Sequence, residues 1–296
     1  MNHISGQDKF KPPVSTQPVF DENIRRKFAA CYPEQPQLLD HDMAANDLLT
    51  LGALAKLGSA LPDASVEYNP GDLPVGIAPE DVPDNGLSIA DTILNIESSA
   101  SWAVLKNIEQ VPEYEALLLS LLAEIQPVLE KKTGKMLKPQ GFIFVSSPGA
   151  MTPYHFDPEH NILLQLRGEK TMTVFPAGDS LYAPATAHEA YHTGGPRNLV
   201  WQDGFAEKGT AFHLTPGKAI FVPVMAPHFV KNGPEPSISL SITWRSDWSF
   251  AEADAHAFNH MLREWGLNPA MPGRFPKQNK VKATCWRIMR KLSLVK

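Results

Sequence analysis

Residues 237–244 read Ser237-Ile-Ser-Leu-Ser-Ile-Thr-Trp244, and this alternation decides the class of fold. In an extended chain successive side chains leave opposite faces. Ser237, Ser239, Ser241 and Thr243 therefore share one face, and Ile238, Leu240, Ile242 and Trp244 the other. The polar face meets either solvent or a wet internal cavity. Working outward, Phe142-Ile-Phe-Val, Ile162-Leu-Leu-Gln-Leu, Thr171-Met-Thr-Val-Phe and Ala219-Ile-Phe-Val-Pro are further short runs divided by Gly and Pro turns. Strands of this length and spacing predict a β-sandwich or barrel, placed at residues 136–248.

On either side the period is helical. Met43, Leu48, Leu49 and the apolar positions of 51–57 predict a helical lead-in from Asp21 to Leu57. Leu87 to Ile96 and Glu113 to Lys132 read as helices, the second opened by Pro112 and closed by Gly134. Between them Trp102-Ala-Val-Leu reads as a strand, and Pro62 to Pro83 as a loop around a short extended piece at Ser65 to Tyr68. Residues 1–18 read as a flexible arm and 19–135 as a helical and mixed region packing on the barrel. Residues 249–296 hold C-terminal helices, Phe250 to Trp265 and another from about Lys280, with a basic tail. In the last helix Val281, Cys285, Ile288, Met289, Leu292 and Val295 fall on one stripe. That stripe reads as a face docked on its own domain or on a second copy, forming a homodimer, or as a basic partner- or membrane-binding surface.

With 296 residues, 43% hydrophobic and 20% charged, the chain is an ordinary globular protein. Its net charge of −5 is uneven. From Gly273 to Lys296 there are eight Lys or Arg and no acid, which leaves 19 basic against 32 acidic residues elsewhere. An acidic body excludes a broad nucleic-acid face outside the tail. Cys31 and Cys285 are too few and too far apart for a disulfide framework or a zinc knuckle, and read as free thiols. The first 17 residues carry no apolar run, and Ala116 to Ile125 is too short to span a bilayer, so the expected location is cytoplasmic. Nucleotide-loop, nucleophile-elbow and H-E-x-x-H patterns are absent.

The chemistry concentrates at Met151 to Lys170, M-T-P-Y-H-F-D-P-E-H-N-I-L-L-Q-L-R-G-E-K. His155 and Asp157 are i and i+2 in an extended segment, so both leave one face and can share an ion. A third ligand is His228, at the end of Phe221-Val-Pro-Val-Met-Ala-Pro-His, 71 residues on. Two imidazoles and one carboxylate make the facial triad of non-heme Fe(II), with positions left open for chelation and oxygen. A His-x-Asp pair alone recurs by chance. Here it keeps company with Thr152, the turn at Gly168 and Lys170.

T-P-Y-H-F-D-P-E-H-N-I-L-L-Q-L-R-G-E-K, with G-K-A-I-F-V-P-V-M-A-P-H later, resembles the cupin-like JmjC branch of the Fe(II)/2-oxoglutarate dioxygenases. Its pattern is similar to that of the asparaginyl hydroxylase that inhibits hypoxia-inducible factor, over Phe142 to Trp244. The resemblance implies a mainly β fold with flanking helices, the double-stranded β-helix or jelly-roll. It implies that His155, Asp157 and His228 bind Fe(II), and that Thr152 and Lys170 hold the distal carboxylate of 2-oxoglutarate. A buried cation and a hydroxyl suit that task, because an unpaired buried carboxylate is expensive. Asn161 is placed by the resemblance near the cosubstrate and reads equally as a strand-edge residue; Gln165 is left with the same two readings. From the last strand either Ser241 or Thr243 faces the cosubstrate.

The implied activity is an oxygenase that hydroxylates a protein, peptide or small molecule while 2-oxoglutarate and O2 yield succinate and CO2. The alternative is a cupin-like binding or regulatory module without turnover. Pro216-Gly217-Lys218 stands where the family commonly has P-G-D, and Ala226-Pro227 where aromatics often precede the histidine, so substrate specificity does not transfer. His160 reads as a strand-surface histidine facing away from the metal and His213 as a core histidine. Asp179 to Lys208, with His188 and His192, is an insertion that reads as a substrate gate or as a passive surface excursion.

Overall fold

The computed structural model describes residues 18–70 and 86–293. The N-terminal arm up to residue 17, the loop from residue 71 to Pro83, and Val295 lie outside the described residues. The chain opens with α1 (Glu22–Cys31), β1 (Gln37–Asp40), α2 (Leu51–Ala60), β2 (Val66–Pro70), α3 (Ile89–Leu94), β3 (Ser101–Lys106) and α4 (Pro112–Thr133). The Asp21 carboxylate accepts from the Ile24 amide at 2.8 Å and so starts α1. α4 ends at Gly134, whose φ of +82° suits glycine and where any Cβ would run into Asp247.

Eight strands follow: β4 (Met136–Ser146), β5 (Met151–His155), β6 (His160–Arg167), β7 (Lys170–Val174), β8 (Thr210–Leu214), β9 (Lys218–Val222), β10 (His228–Asn232) and β11 (Ser237–Ser246). They form two antiparallel sheets, with β9-β6-β11-β4 facing β5-β10-β7-β8. Successive strands cross between the sheets, except that β7 and β8 form a hairpin within the smaller one, and this is the winding of a double-stranded β-helix. β1 extends the larger sheet beyond β9, and β3 and β2 extend it beyond β4. The expected helical lead-in is therefore interrupted: Gln37–Asp40 is an edge strand because Leu39 fills the core while the backbone pairs with β9. β5, β8 and β10 have too mixed a composition to stand out as strands in the sequence.

The alternation in β11 separates two interiors. Ile238, Leu240, Ile242 and Trp244 join Ile143, Val145, Ile162, Leu164 and Phe221 under the N-terminal helices, where Phe28, Tyr32, Leu54 and Leu118 meet them. The serine face turns into the barrel, on the side of Leu163, Ile220 and Val222. Of the two readings of that face, the internal one holds.

α5 (Ala185–Tyr191) lies between β7 and β8, and α6 (Asp247–Glu264) and α7 (Lys280–Lys291) close the chain. α7 docks through Trp286 and Met289 against Ala257 and Met261, and Ala283 is also buried. This corrects the expected stripe in part: Met289 packs inward, but Val281, Ile288 and Leu292 remain 79%, 53% and 62% exposed. Trp286 lies on a different face, and its large ring decides the orientation. Arg274, in the link before α7, pairs with Glu34 at 3.0 Å and Glu252 at 2.7 Å, tying that link to α6 and the end of α1. Cys31 and Cys285 are free thiols. Among the described residues no helix is long and apolar enough to cross a membrane.

Candidate metal centre

β5 ends and β10 begins at one place, and their ladder sets His155 opposite His228. Both side chains are buried. Asp157 sits two residues beyond β5, in the turn to β6, so that turn rather than strand alternation carries its carboxylate to the histidines. Its carbonyl accepts from the Met225 amide at 2.8 Å. Met225 holds a left-handed φ of +57° in the loop that delivers His228, the kind of backbone strain that persists where surrounding structure enforces it.

The histidine tautomers follow from their partners. His155 Nδ1 lies 2.7 Å from the Pro153 carbonyl and His228 Nδ1 lies 3.0 Å from the Ala226 carbonyl. A carbonyl only accepts, so both Nδ1 atoms carry the proton and each neutral ring presents an Nε2 lone pair. Both Nε2 atoms lie 3.6 Å from Asp157 Oδ2. Two lone pairs and a carboxylate facing one another repel unless a cation lies among them. The donor set, three atoms within 4.8 Å of one another, fits a divalent metal. Burial and the neighbouring His155 pull His228 down to about 4, which keeps it neutral. Burial alone would raise Asp157, but the His155 ring, Arg197 and His228 hold it well below the usual carboxylate range.

Lys170 opens β7 on the inward face shared by Met172 and Val174. It is 4% exposed, and burial, with no compensating partner among the described residues, pulls it down to about 7. Thr152 is brought to the same interior by an irregularity in β5: three residues separate Thr152 from His155 where two separate Val230 from His228. The extra residue turns Thr152 to the side of inward-facing Val230. Asn161 is a buried interior residue rather than an edge one, its Oδ1 accepting from Ser241 Oγ at 2.9 Å. Thr243 donates to the Gln140 carbonyl at 2.9 Å, which leaves Ser241 as the β11 hydroxyl joined to Asn161. Gln165 takes a structural place. Its Nε2 donates to the Arg167 and Gly168 carbonyls and to Ser237, and its Oε1 accepts from Ser239 at 2.7 Å. This network pins the turn that delivers Lys170.

Two histidine expectations are corrected. His160 is fully buried on the far side of the larger sheet, stacked on Trp244, because β6 alternation turns it under the helices. His213 lies on the outside of β8, 3.3 Å from Glu169, since the inward positions of that strand end at Leu214. His188 and His192 both stack with His256 of α6, and burial pulls His188 down to about 4 and His192 to about 3.

The insertion lies against β5. The Phe156 amide donates to the Arg197 carbonyl and the Leu199 amide to the Tyr154 carbonyl, at 3.3 and 3.0 Å. Phe156 stacks on His188. Arg197 Nη1 reaches Asp157 Oδ1 at 3.1 Å. Sequence reasoning missed Arg197; the available signal was that it is the single arginine of 179–208, set after Gly-Gly-Pro.

No protein-family model and no curated protein sequence matches the chain. Among solved structures it is similar to E. coli ycfD, at 17% identity over 90% of this chain and 67% of that one, with a TM-score of 0.48. It is also similar to the structure of YcfD, described as a ribosomal oxygenase from Escherichia coli, in complex with cobalt and 2-oxoglutarate, at 16% identity over 91% and 66% and a TM-score of 0.46. For the complex with cobalt and succinic acid the values are 18%, 90%, 66% and 0.43. The chain spans about two thirds of the length of those proteins.

Proposed function

We propose that the chain is an Fe(II)- and 2-oxoglutarate-dependent oxygenase that hydroxylates a protein, peptide or small molecule. The observation that carries this reading is the pairing of two imidazole lone pairs and Asp157 with an unpartnered buried ammonium, Lys170, in one barrel. A structural lysine in that position would have a carboxylate beside it, because a lone buried charge is destabilising. An anionic cosubstrate supplies the missing charge. When bound, Fe(II) supplies a centre at which O2 and a 2-oxo acid meet.

The protein's own groups do the rest. His155, His228 and Asp157 would hold the ion. Lys170 and Thr152 would hold the far carboxylate of the cosubstrate, with Asn161, fixed by Ser241, available as a further polar contact. Leu163, Met172, Val174 and Val222 supply the apolar part of the interior beside these polar groups. The Nδ1 bonds to Pro153 and Ala226 fix the orientation of each ring and turn its Nε2 towards Asp157.

The test adds Fe(II) and then 2-oxoglutarate to metal-free protein without oxygen. A visible charge-transfer band is expected in wild type and none in His155→Ala. Iron binding without the band would reject the oxygenase reading in favour of a binding module.

A further inference from the structure

Lys170 has an unsatisfied neighbour. Across the β7–β10 ladder it stands directly opposite Asn232, and cross-strand partners point to the same face. Asn232 is 8% exposed, and its Oδ1 has no hydrogen-bond partner among the described residues. Its backbone is fixed by a 2.9 Å bond from its amide to the Ala150 carbonyl, so the side chain is held in place while its amide is not. On the other side of Lys170 the ladder partner is Leu214, which offers no polar atom. Buried polar groups are nearly always paired, and two such side chains in register, with no partner among the described residues, mark a place where a ligand completes the bonding.

The chemistry of that ligand follows from the donors. An ammonium gives charge, and an amide that nothing holds in one orientation turns to present Nδ2–H. Together they fit the two oxygens of a carboxylate. We infer that Asn232 is a second binding residue for the distal carboxylate of the cosubstrate, donating from Nδ2 beside the Lys170 ammonium. This rests on the oxygenase reading above. Asn232 would thereby contribute to selecting a dicarboxylate over a 2-oxo acid that lacks the far carboxylate.

The test is calorimetric titration of the Mn(II)-loaded full chain, without oxygen, with 2-oxoglutarate and with 2-oxovalerate, which lacks the distal carboxylate. Asn232→Ala is expected to weaken 2-oxoglutarate binding about tenfold and leave 2-oxovalerate and Mn(II) binding unchanged. Asn232→Asp, which places a second carboxylate beside the first, is expected to weaken it more than a hundredfold. The ligand-free melting midpoint of Asn232→Ala should be no lower than wild type, since no partner loses a bond. Unchanged 2-oxoglutarate affinity in Asn232→Ala would overturn the role of Asn232 alone. Failure of wild type to bind 2-oxoglutarate with Mn(II) in place would overturn the oxygenase reading and this inference with it.

Discussion

The two oxygens of Asp157 are divided between partners: Oδ1 lies 3.1 Å from Arg197 Nη1, and Oδ2 lies 3.6 Å from the Nε2 atoms of both His155 and His228. A residue of the insertion thus orients the carboxylate of the candidate metal centre in the barrel. The insertion is neither a detached excursion nor independent of the site it borders.

Removing that guanidinium frees the carboxylate to turn. Groups that orient metal ligands typically contribute ten- to a hundredfold in affinity, and Arg197 is half exposed, so the lower end applies. Arg197→Ala is expected to weaken Mn(II) or Fe(II) binding about tenfold, and Arg197→Lys by less, because lysine keeps the charge but loses the planar fork. A competition titration with a chelator measures this, and equal affinity in Arg197→Ala would show that the contact is incidental.

Lys170 makes ligand-free stability depend on pH. Burial pulls the folded-state value down to about 7, whereas an unfolded lysine titrates near 10.4. Between these values the unfolded chain holds more protons, so this group makes stability rise as pH increases from about 7 towards 10. Lys170→Met should lose that rise, melt higher than wild type at pH 7 without ligand, and bind 2-oxoglutarate at least a hundredfold more weakly. In wild type the affinity for 2-oxoglutarate should fall above pH 7, since binding then requires proton uptake. A flat affinity between pH 7 and 9 would contradict the assignment.

Gln165 is fully buried and joins Ser237, Ser239 and the β6–β7 turn. Gln165→Leu leaves two serine hydroxyls and two carbonyls without these partners, which costs about 2–4 kcal/mol. Urea unfolding should show this as a lower midpoint with an unchanged slope. A midpoint equal to wild type would mean that the network reforms around the leucine.

The two faces of α7 should respond differently. Trp286 is buried against α6, so Trp286→Ala is expected to cost about 3 kcal/mol or more. Ile288 faces out, and Ile288→Ala should change stability by no more than about 0.5 kcal/mol. Thermal denaturation of both variants checks the docking face, and the reverse ranking would mean that the helix packs through the other stripe.

Much of this architecture was legible where one physical rule acts alone. The Ser/Ile alternation of 237–244 identified a strand with one polar and one apolar face, because strand periodicity is local. Pro112 and Gly134 bounded α4 because both act through their own backbone geometry. Legibility failed where a neighbour decides. Gln37–Asp40 is a strand only because the edge of β9 is available to it. Val281, Cys285 and Ile288 form the more regular apolar stripe of α7, yet Trp286 chooses the buried face because it fills more space against α6.

The sequence by itself determined five of the eight barrel strands and the residue types at 152, 155, 157, 170 and 228, since spacing and side-chain chemistry need no partner to be read. Only the tertiary structure decided that the serine face is internal, that Arg197 reaches Asp157, and that Asn232 stands unbonded beside Lys170. Those relationships join residues 40, 62 and more positions apart. They depend on which sheet edges pair and in what register, and no local pattern encodes that choice.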